Sequence, residues 1–174
     1  METSMTVTVR LGTADDLPFL REMLFEAAYW RTDWGLNQER PSLDEGLSRP
    51  DLAYLLEDWG RKGDTAFVAI TNNQQSVGGA WYRFWGPEQH SYGYIAANIP
   101  ELAIGVRFEC RRMGIGHLLL DALLRMAASH GIEQISLSVE VENPALHLYL
   151  KHGFKAVQQN KGDWVMVANT KRTK

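Results

Sequence analysis

The 174-residue chain has a single cysteine, Cys110, so it has no second thiol for an internal disulfide. Structural zinc is equally unsupported, because no Cys or His cluster has ligand spacing. No apolar run approaches the roughly 20 residues of a bilayer-spanning helix. The opening METSMTVTVR lacks the basic-then-apolar layout of a secretory leader. Positive charge is not in excess either. The formal net charge of −3 argues against a general nucleic-acid footprint, leaving room only for local basic patches. Internal repeats, low-complexity tracts and linkers are missing. These absences predict a reduced, cytoplasmic, metal-free single domain over residues 1–174, with short flexible ends at about 1–5 and 169–174.

What is present is globular material: 45% hydrophobic and 22% charged residues. TVTVR (6–10) alternates and predicts a first strand. TADDLPFLREMLFEAAYW (13–30) predicts a helix with Thr13 as N-cap and Asp15 and Asp16 in its first turn. Leu17, Leu20, Leu24 and Ala28 give that helix its buried face. After the loop RTDWGLNQERP, a second helix is expected within residues 48–64, opened by Pro50 and Asp51 and closed by Gly60. TAFVAI and VGGAWYRFW flank TNNQQS as a hairpin. Residues 86–100 are long for a hairpin connection and are expected to wall a substrate site. ELAIGV (101–106) predicts a strand, followed by a helix that stops at Gly131. QISLSVE (134–140) is a strand, PALHLYLKHG a short helix, and FKAVQQN and WVMVA the last strands before a frayed tail, NTKRTK. The order β-α-α-β-β-β-α-β-α-β-β belongs to the α/β class, with a mixed sheet covered on both faces.

The most informative stretch is CRRMGIGHLLLDALL, Cys110–Leu124. Gly114 and Gly116 fall where loop becomes helix. Backbone N–H groups there lack helical partners, and the helix dipole adds positive character. Missing side chains let phosphate oxygens approach, and Arg111 and Arg112 add formal charge. An ATPase P-loop would need Lys-Ser/Thr after the last glycine, but His117-Leu118 stands there. A dinucleotide fingerprint would need glycine at Leu119. A plain left-handed turn would also use glycine here, so this stretch alone leaves both readings open.

A second stretch, SVEVENPALHLYLKHGF (Ser138–Phe154), places Asn143 before Pro144 as a helix N-cap, with Tyr149 on the helix that follows. Together the two stretches resemble the GNAT acetyltransferase superfamily. Arg111-Arg112-Met113-Gly114-Ile115-Gly116 is similar to its Arg/Gln-x-x-Gly-x-Gly/Ala signature, and ENPALHLYLKHGF to its N-x-A-x-x-L-Y-x-x-x-G-F segment. The resemblance covers roughly residues 6–168. It implies a mostly antiparallel sheet of about seven strands, about four helices on both faces, and a splay between the central strands.

The resemblance further implies an N-acetyltransferase that moves an acetyl group from acetyl-CoA to a primary amine of a small molecule or peptide. A non-catalytic acyl-CoA-binding module is the alternative. Residues Arg111, Arg112, Met113, Gly114, Ile115 and Gly116 would cradle the CoA pyrophosphate, with Ile104, Val106 and Asn143 along the rest of the cosubstrate. Gly105 within ELAIGV suggests a bulge or a close backbone approach, and Val106 N–H is the candidate oxyanion donor. The small face of Ala103 and Gly105 suggests a ligand channel. A protonated amine must lose a proton before attack, and Glu101 is the candidate base. Tyr149 is the candidate acid for the departing thiolate. Attack is expected to be direct, since Cys110 has no basic partner beside it in the sequence. Tyr29, Trp30, Trp34, Trp81 and Arg83 are candidate acceptor-binding residues. His117, His130, His147 and His152 are expected to be structural. No nucleic acid, membrane or metal is expected as a partner. A homodimer is compatible with the family, although no segment marks an interface.

Overall fold

Among the described residues, 5–36 and 38–171, the computed structural model has seven strands in one sheet and five helices. The strands are β1 (Val7–Leu11), β2 (Thr65–Thr71), β3 (Ser76–Arg83), β4 (Glu101–Val106), β5 (Gln134–Glu140), β6 (Lys155–Asn160) and β7 (Asp163–Asn169). The helices are α1 (Leu17–Ala28), α2 (Leu43–Leu47), α3 (Pro50–Ala53), α4 (Ile115–Ser129) and α5 (Leu146–Lys151). The sheet runs β1-β2-β3-β4-β5-β7-β6 and is antiparallel except between β4 and β5.

The predicted first helix begins one turn late. Residues Ala14–Asp16 form a 3₁₀ turn, in which the Asp16 carboxylate accepts the Thr13 N–H at 2.7 Å and two bonds from Arg10 at 2.8 Å each. The predicted second helix breaks into α2 and α3. Ser42 and Glu45 form a capping box that starts α2, outside the predicted range. Pro50 has no N–H to continue a preceding helix and opens α3 instead. Past Ala53 the chain turns through Asp58 (φ 49°) and Gly60 (φ 107°), so the helix that was expected to reach Gly60 ends early. The tail is shorter than expected. Asn169 closes β7, and Thr170 is buried, its N–H donating to Glu133 O at 2.9 Å. Residues 1–4 and 172–174, expected to be frayed, and Asn37 of the predicted loop lie outside the described residues.

Two cores sandwich the sheet. Leu20, Met23, Leu24 and Phe25 of α1 pack with Val68, Trp81 and Trp85 on one face. Leu119, Leu120 and Leu123 of α4 pack with Leu102, Ile135, Leu137 and Tyr149 on the other. Each leucine taken fully from water contributes about 1.5–3 kcal/mol before entropy is counted, so these stripes anchor both helices.

At the centre, β4 and β5 meet through one pair, Glu101 with Ser136, where the Ser136 N–H donates to Pro100 O at 2.9 Å. Beyond that pair they diverge. Helix α1 lies against β4 so closely that a Cβ on Gly105 would sit 2.0 Å from Met23 O. The small face of β4 thus lets α1 approach at Gly105, and Ala103 and Gly105 also line the cavity described below. Gly105 is a point of close backbone approach, and the β3–β4 register runs through it without a bulge. Gly105→Ala is expected to cost at least about 1–3 kcal/mol, because backbone rather than a movable side chain must yield. Urea denaturation of the variant beside the parent measures this loss.

Candidate active site

The β4–β5 divergence opens a cavity of about 560 Å³. Its walls bring together Glu101, Ile104, Val106, Arg111, Arg112, Gly114, Ile115, Gly116, Asn143 and Tyr149, sequence candidates drawn from three separate segments, while Met113 does not line it. Ser91 and Tyr92 of the long 86–100 connection line it as well, as expected of a site wall.

The turn before α4 answers the question its glycines raised. Gly114 takes φ 80°, a left-handed conformation, and a Cβ there would meet nothing within 4 Å. Arg112 is also left-handed, at φ 63°. At Gly116 the constraint is different: a Cβ would press on Leu148 Cδ2 at 2.9 Å. The left-handed turn leaves a run of backbone amides unpaired at the start of α4. Among the described residues, the N–H groups of Arg112, Met113, Gly114, Ile115 and Gly116 find no acceptor in the chain. Met113 is exposed beside them.

The arginines divide the work. Arg111 is clamped by Glu26 Oε2 (3.0 Å) and by the carbonyls of Glu26 (3.2 Å), Trp30 (3.1 Å) and Val106 (3.3 Å). Burial lowers its pKa, with Glu26 opposing. It ties the end of α1 to the end of β4. Arg112 is exposed and lines the cavity with no ion-pair partner among the described residues.

Along β4, peptide groups alternate sides. Arg107 N–H donates to Val77 O of β3 at 2.9 Å, so the Val106 and Ile104 groups turn toward β5. There β5 has already diverged, which leaves their N–H groups facing the gap without a strand partner.

Glu101 is buried at the one bridge between β4 and β5. Its Oε1 accepts the Gly93 N–H at 3.0 Å, while Oε2 has no hydrogen-bond partner. Burial pushes its pKa up to about 7, against the Gly93 N–H and the Trp85 and Ser91 side chains, which favour the anion. Tyr149, also buried, packs edge-on against Phe154 at 5.8 Å. Burial raises its pKa well above the usual phenol, so it keeps its proton. Asn143 Oδ1 accepts the Ala145 N–H at 2.9 Å, which caps the turn into α5, and regular helix begins at Leu146 rather than at Pro144. Cys110 lines the cavity with its thiol pKa raised by burial, the opposite of an activated nucleophile.

The acceptor candidates separate. Trp30 lines the cavity, and its indole N–H has no partner. Tyr29 instead donates to Gly46 O at 3.1 Å and stacks near Trp34 at 5.8 Å, and neither ring reaches the cavity. Trp81 is fully buried, donating to Leu55 O at 3.2 Å. Arg83 is 1% exposed, bonded to Asp64 at 2.9 and 2.6 Å and to the Tyr54 and Glu57 carbonyls. Trp81 and Arg83 point from β3 into the α1-side core, so of the five acceptor candidates Trp30 alone lines the cavity, with Tyr92 of the 86–100 connection as an aromatic that the sequence reading did not name. Sequence reasoning missed the charged rim of Arg49, Asp51, Glu140 and Asp163, where Asp51 pairs with Arg49 at 2.6 Å and Glu140 with Arg31 at 3.0 Å. Glu140 and Asp163 are cross-strand partners, a like-charge pairing that only the β5–β7 register reveals.

Comparison with known proteins agrees with this geometry. The profile of the acetyltransferase (GNAT) family matches residues 27–154. The chain belongs to the GNAT acetyltransferase family. No curated protein matches the sequence. Among solved structures, the PaiA N-acetyltransferase of Thermoplasma acidophilum in complex with coenzyme A is 20% identical, with a TM-score of 0.69 over 94% of this chain and 99% of that one. The ribosomal-protein-alanine N-acetyltransferase of Brucella melitensis is 24% identical, with a TM-score of 0.65 over 93% and 99%. A chimeric spermidine N-acetyltransferase SpeG from Vibrio cholerae and hSSAT is 20% identical, with a TM-score of 0.60 over 94% and 95%. At these identities the likeness is one of fold. The mixed, mostly antiparallel seven-stranded sheet is the GNAT fold, with five helices where about four were expected. Among the described residues, no helix is long and apolar enough to cross a membrane.

The two arginines make separable predictions. Arg111→Gln is expected to lose about 2 kcal/mol of stability, because Glu26 and three carbonyls lose a charged donor. Arg112→Gln is expected to stay within about 0.5 kcal/mol of the parent and to weaken CoA binding instead. Denaturation and CoA titration of both variants check the split.

Proposed function

We propose that the protein is an N-acetyltransferase that moves an acetyl group from acetyl-CoA to a primary amine of a small molecule by direct attack in a ternary complex. The observation that carries this reading is one continuous cavity. It joins the unpaired turn amides of Arg112, Gly114, Ile115 and Gly116, an unpaired strand edge, a buried carboxyl and a buried phenol. The residues present fit acetyl-CoA. The Arg112–Gly116 amides and the Arg112 side chain would hold the pyrophosphate, and Ile104, Val106 and Asn143 would border the pantetheine arm. The cosubstrate supplies an activated thioester carbonyl.

The chain's own groups divide the proton work. Glu101, as the carboxylate, takes a proton from the acceptor ammonium and so exposes its lone pair. Val106 N–H donates to the carbonyl oxygen as negative charge develops there, at no reorganisation cost. Tyr149 gives its proton to the departing sulfur, a role suited to a phenol that stays protonated. The rim supports a cationic acceptor. Burial and Glu140 both raise the pKa of Asp163, and a positively charged amine would relieve that repulsion. A small-molecule amine suits a cavity of about 560 Å³.

Because burial favours its neutral form, Glu101 ionises only as pH rises through about 7. Activity, followed as free CoA release with a cationic amine, is expected to rise through that range and level off above it. Glu101→Gln is expected to lose at least about 100-fold in kcat/KM and to lose that rise. The same shift bears on stability: between the ordinary carboxylate range and pH 7 the unfolded chain releases a proton the folded chain keeps. Stability therefore falls across that interval in the parent, and less so in the variant. Tyr149→Phe is expected to lower kcat about 10- to 100-fold with KM for acetyl-CoA little changed. Full turnover by that variant would remove the phenol from the chemistry.

A further inference from the structure

His117 and His152 form a direct ring pair that neither the fold nor the chemistry above requires. His117 lies in the first turn of α4, with its ring on the cavity wall. His152 caps the end of α5 and is buried. His117 Nδ1 lies 2.9 Å from His152 Nε2, and the two ring centroids are 5.1 Å apart. His152 Nδ1 lies 3.3 Å from Asp121 Oδ1. Asp121 follows His117 by one helical turn on the same face of α4.

An ionised Asp121 favours one arrangement of the ring protons. With both rings neutral, His152 Nδ1–H donates to Asp121, and His152 Nε2 accepts His117 Nδ1–H. His117 Nε2 is then a bare lone pair, a poor contact for an anion. One added proton changes that. Whether it is held on His117 or passed to His152, His117 Nε2 becomes an N–H donor. Asp121 stabilises the added charge from the far end. Arg112, on the same cavity wall, opposes that charge until an anion arrives.

We propose that the His117–His152–Asp121 chain is a proton-linked contact for the pyrophosphate of the acyl donor, so that binding the donor takes up a proton on the histidine pair. This rests on the acetyl-CoA reading above and adds to it a residue beyond the glycine turn. The location favours the pyrophosphate, because His117 directly follows Gly114–Gly116, whose amides form the cradle. His117 and His152 bind and position; neither touches the transferred acetyl group.

Calorimetric titration of the whole protein with CoA at pH 8, in two buffers of different ionisation enthalpy, counts the protons exchanged. Uptake of about half to one proton per CoA is expected, and the same with dephospho-CoA, which keeps the pyrophosphate. His117→Gln is expected to bind CoA with uptake near zero, and its melting transition reports whether it folds. Asp121→Asn, at a half-exposed position, is expected to move the pH midpoint of CoA affinity downward, by removing the charge that holds the added proton. Affinity falls as pH rises, since only the protonated pair donates; the limit is about 10-fold per pH unit for one proton. CoA binding with no proton uptake, uptake unchanged in His117→Gln, an unmoved midpoint in Asp121→Asn, or uptake lost with dephospho-CoA would each overturn the proposal while leaving the acetyl-CoA reading intact. A complete lack of CoA binding by the parent protein would remove both.

Discussion

Everything at the candidate site depends on the failure of β4 and β5 to pair beyond Glu101 and Ser136. A parallel pair that continued would close the sheet, cover the Ile104 and Val106 amides and leave no gap for a thioester. Two contacts fix β4 on its other face. Helix α1 presses its backbone into the bare face of Gly105, and Arg111 binds the last turn of α1 to Val106 O. The C-terminal half of α1 and the end of β4 are thereby positioned relative to the glycine turn, which follows β4 in the chain.

The cavity is electrically divided. At the α4 end stand unpaired N–H groups, the helix dipole and Arg112, which suit an anion. At the other end stand Glu140, paired with Arg31, Asp51, paired with Arg49, and Asp163, which has no ion-pair partner among the described residues and suits a cation. Glu101 and Tyr149 line the same space, the first a carboxyl whose pKa lies near neutrality, the second a phenol that stays protonated. A donor bearing phosphates and an acceptor bearing ammonium would each be drawn to its own end. Transfer between them needs one group that accepts a proton and another that holds one to give: burial makes Glu101 a better proton acceptor near neutrality, while Tyr149 still carries its proton at that pH.

Much of this was legible in the sequence. The element order, the glycine turn, the Asn143-Pro144 start and the position of Tyr149 all follow from local chemistry, and the structure brings them to one cavity. The long 86–100 connection was read as a wall from its length alone, and Ser91 and Tyr92 line the site. What was not legible is non-local. Trp81 and Arg83 lie on a strand buried on both faces, so periodicity could not say which side each faces; Asp64 and Leu55 decide it. Arg111 looked like a phosphate ligand because Glu26, its partner, lies 85 residues earlier. The His117–His152 pair spans 35 residues and joins two helices, so each histidine alone looked like a solvated or capping residue. The split of the second helix carries a local signal, the Ser42–Glu45 capping box ahead of Pro50, which the reading of residues 48–64 left out.

The central claim is that the Arg112–Gly116 turn and the β4 edge receive the acyl donor together. Backbone amide resonances or hydrogen-exchange rates, recorded residue by residue with and without CoA, test this most directly. The account predicts that CoA shifts and protects the amides of Arg112, Met113, Gly114, Ile115 and Gly116 along with those of Ile104 and Val106, while the β1–β2 edge stays unchanged. Saturable CoA binding that leaves those seven amides unaltered would contradict it.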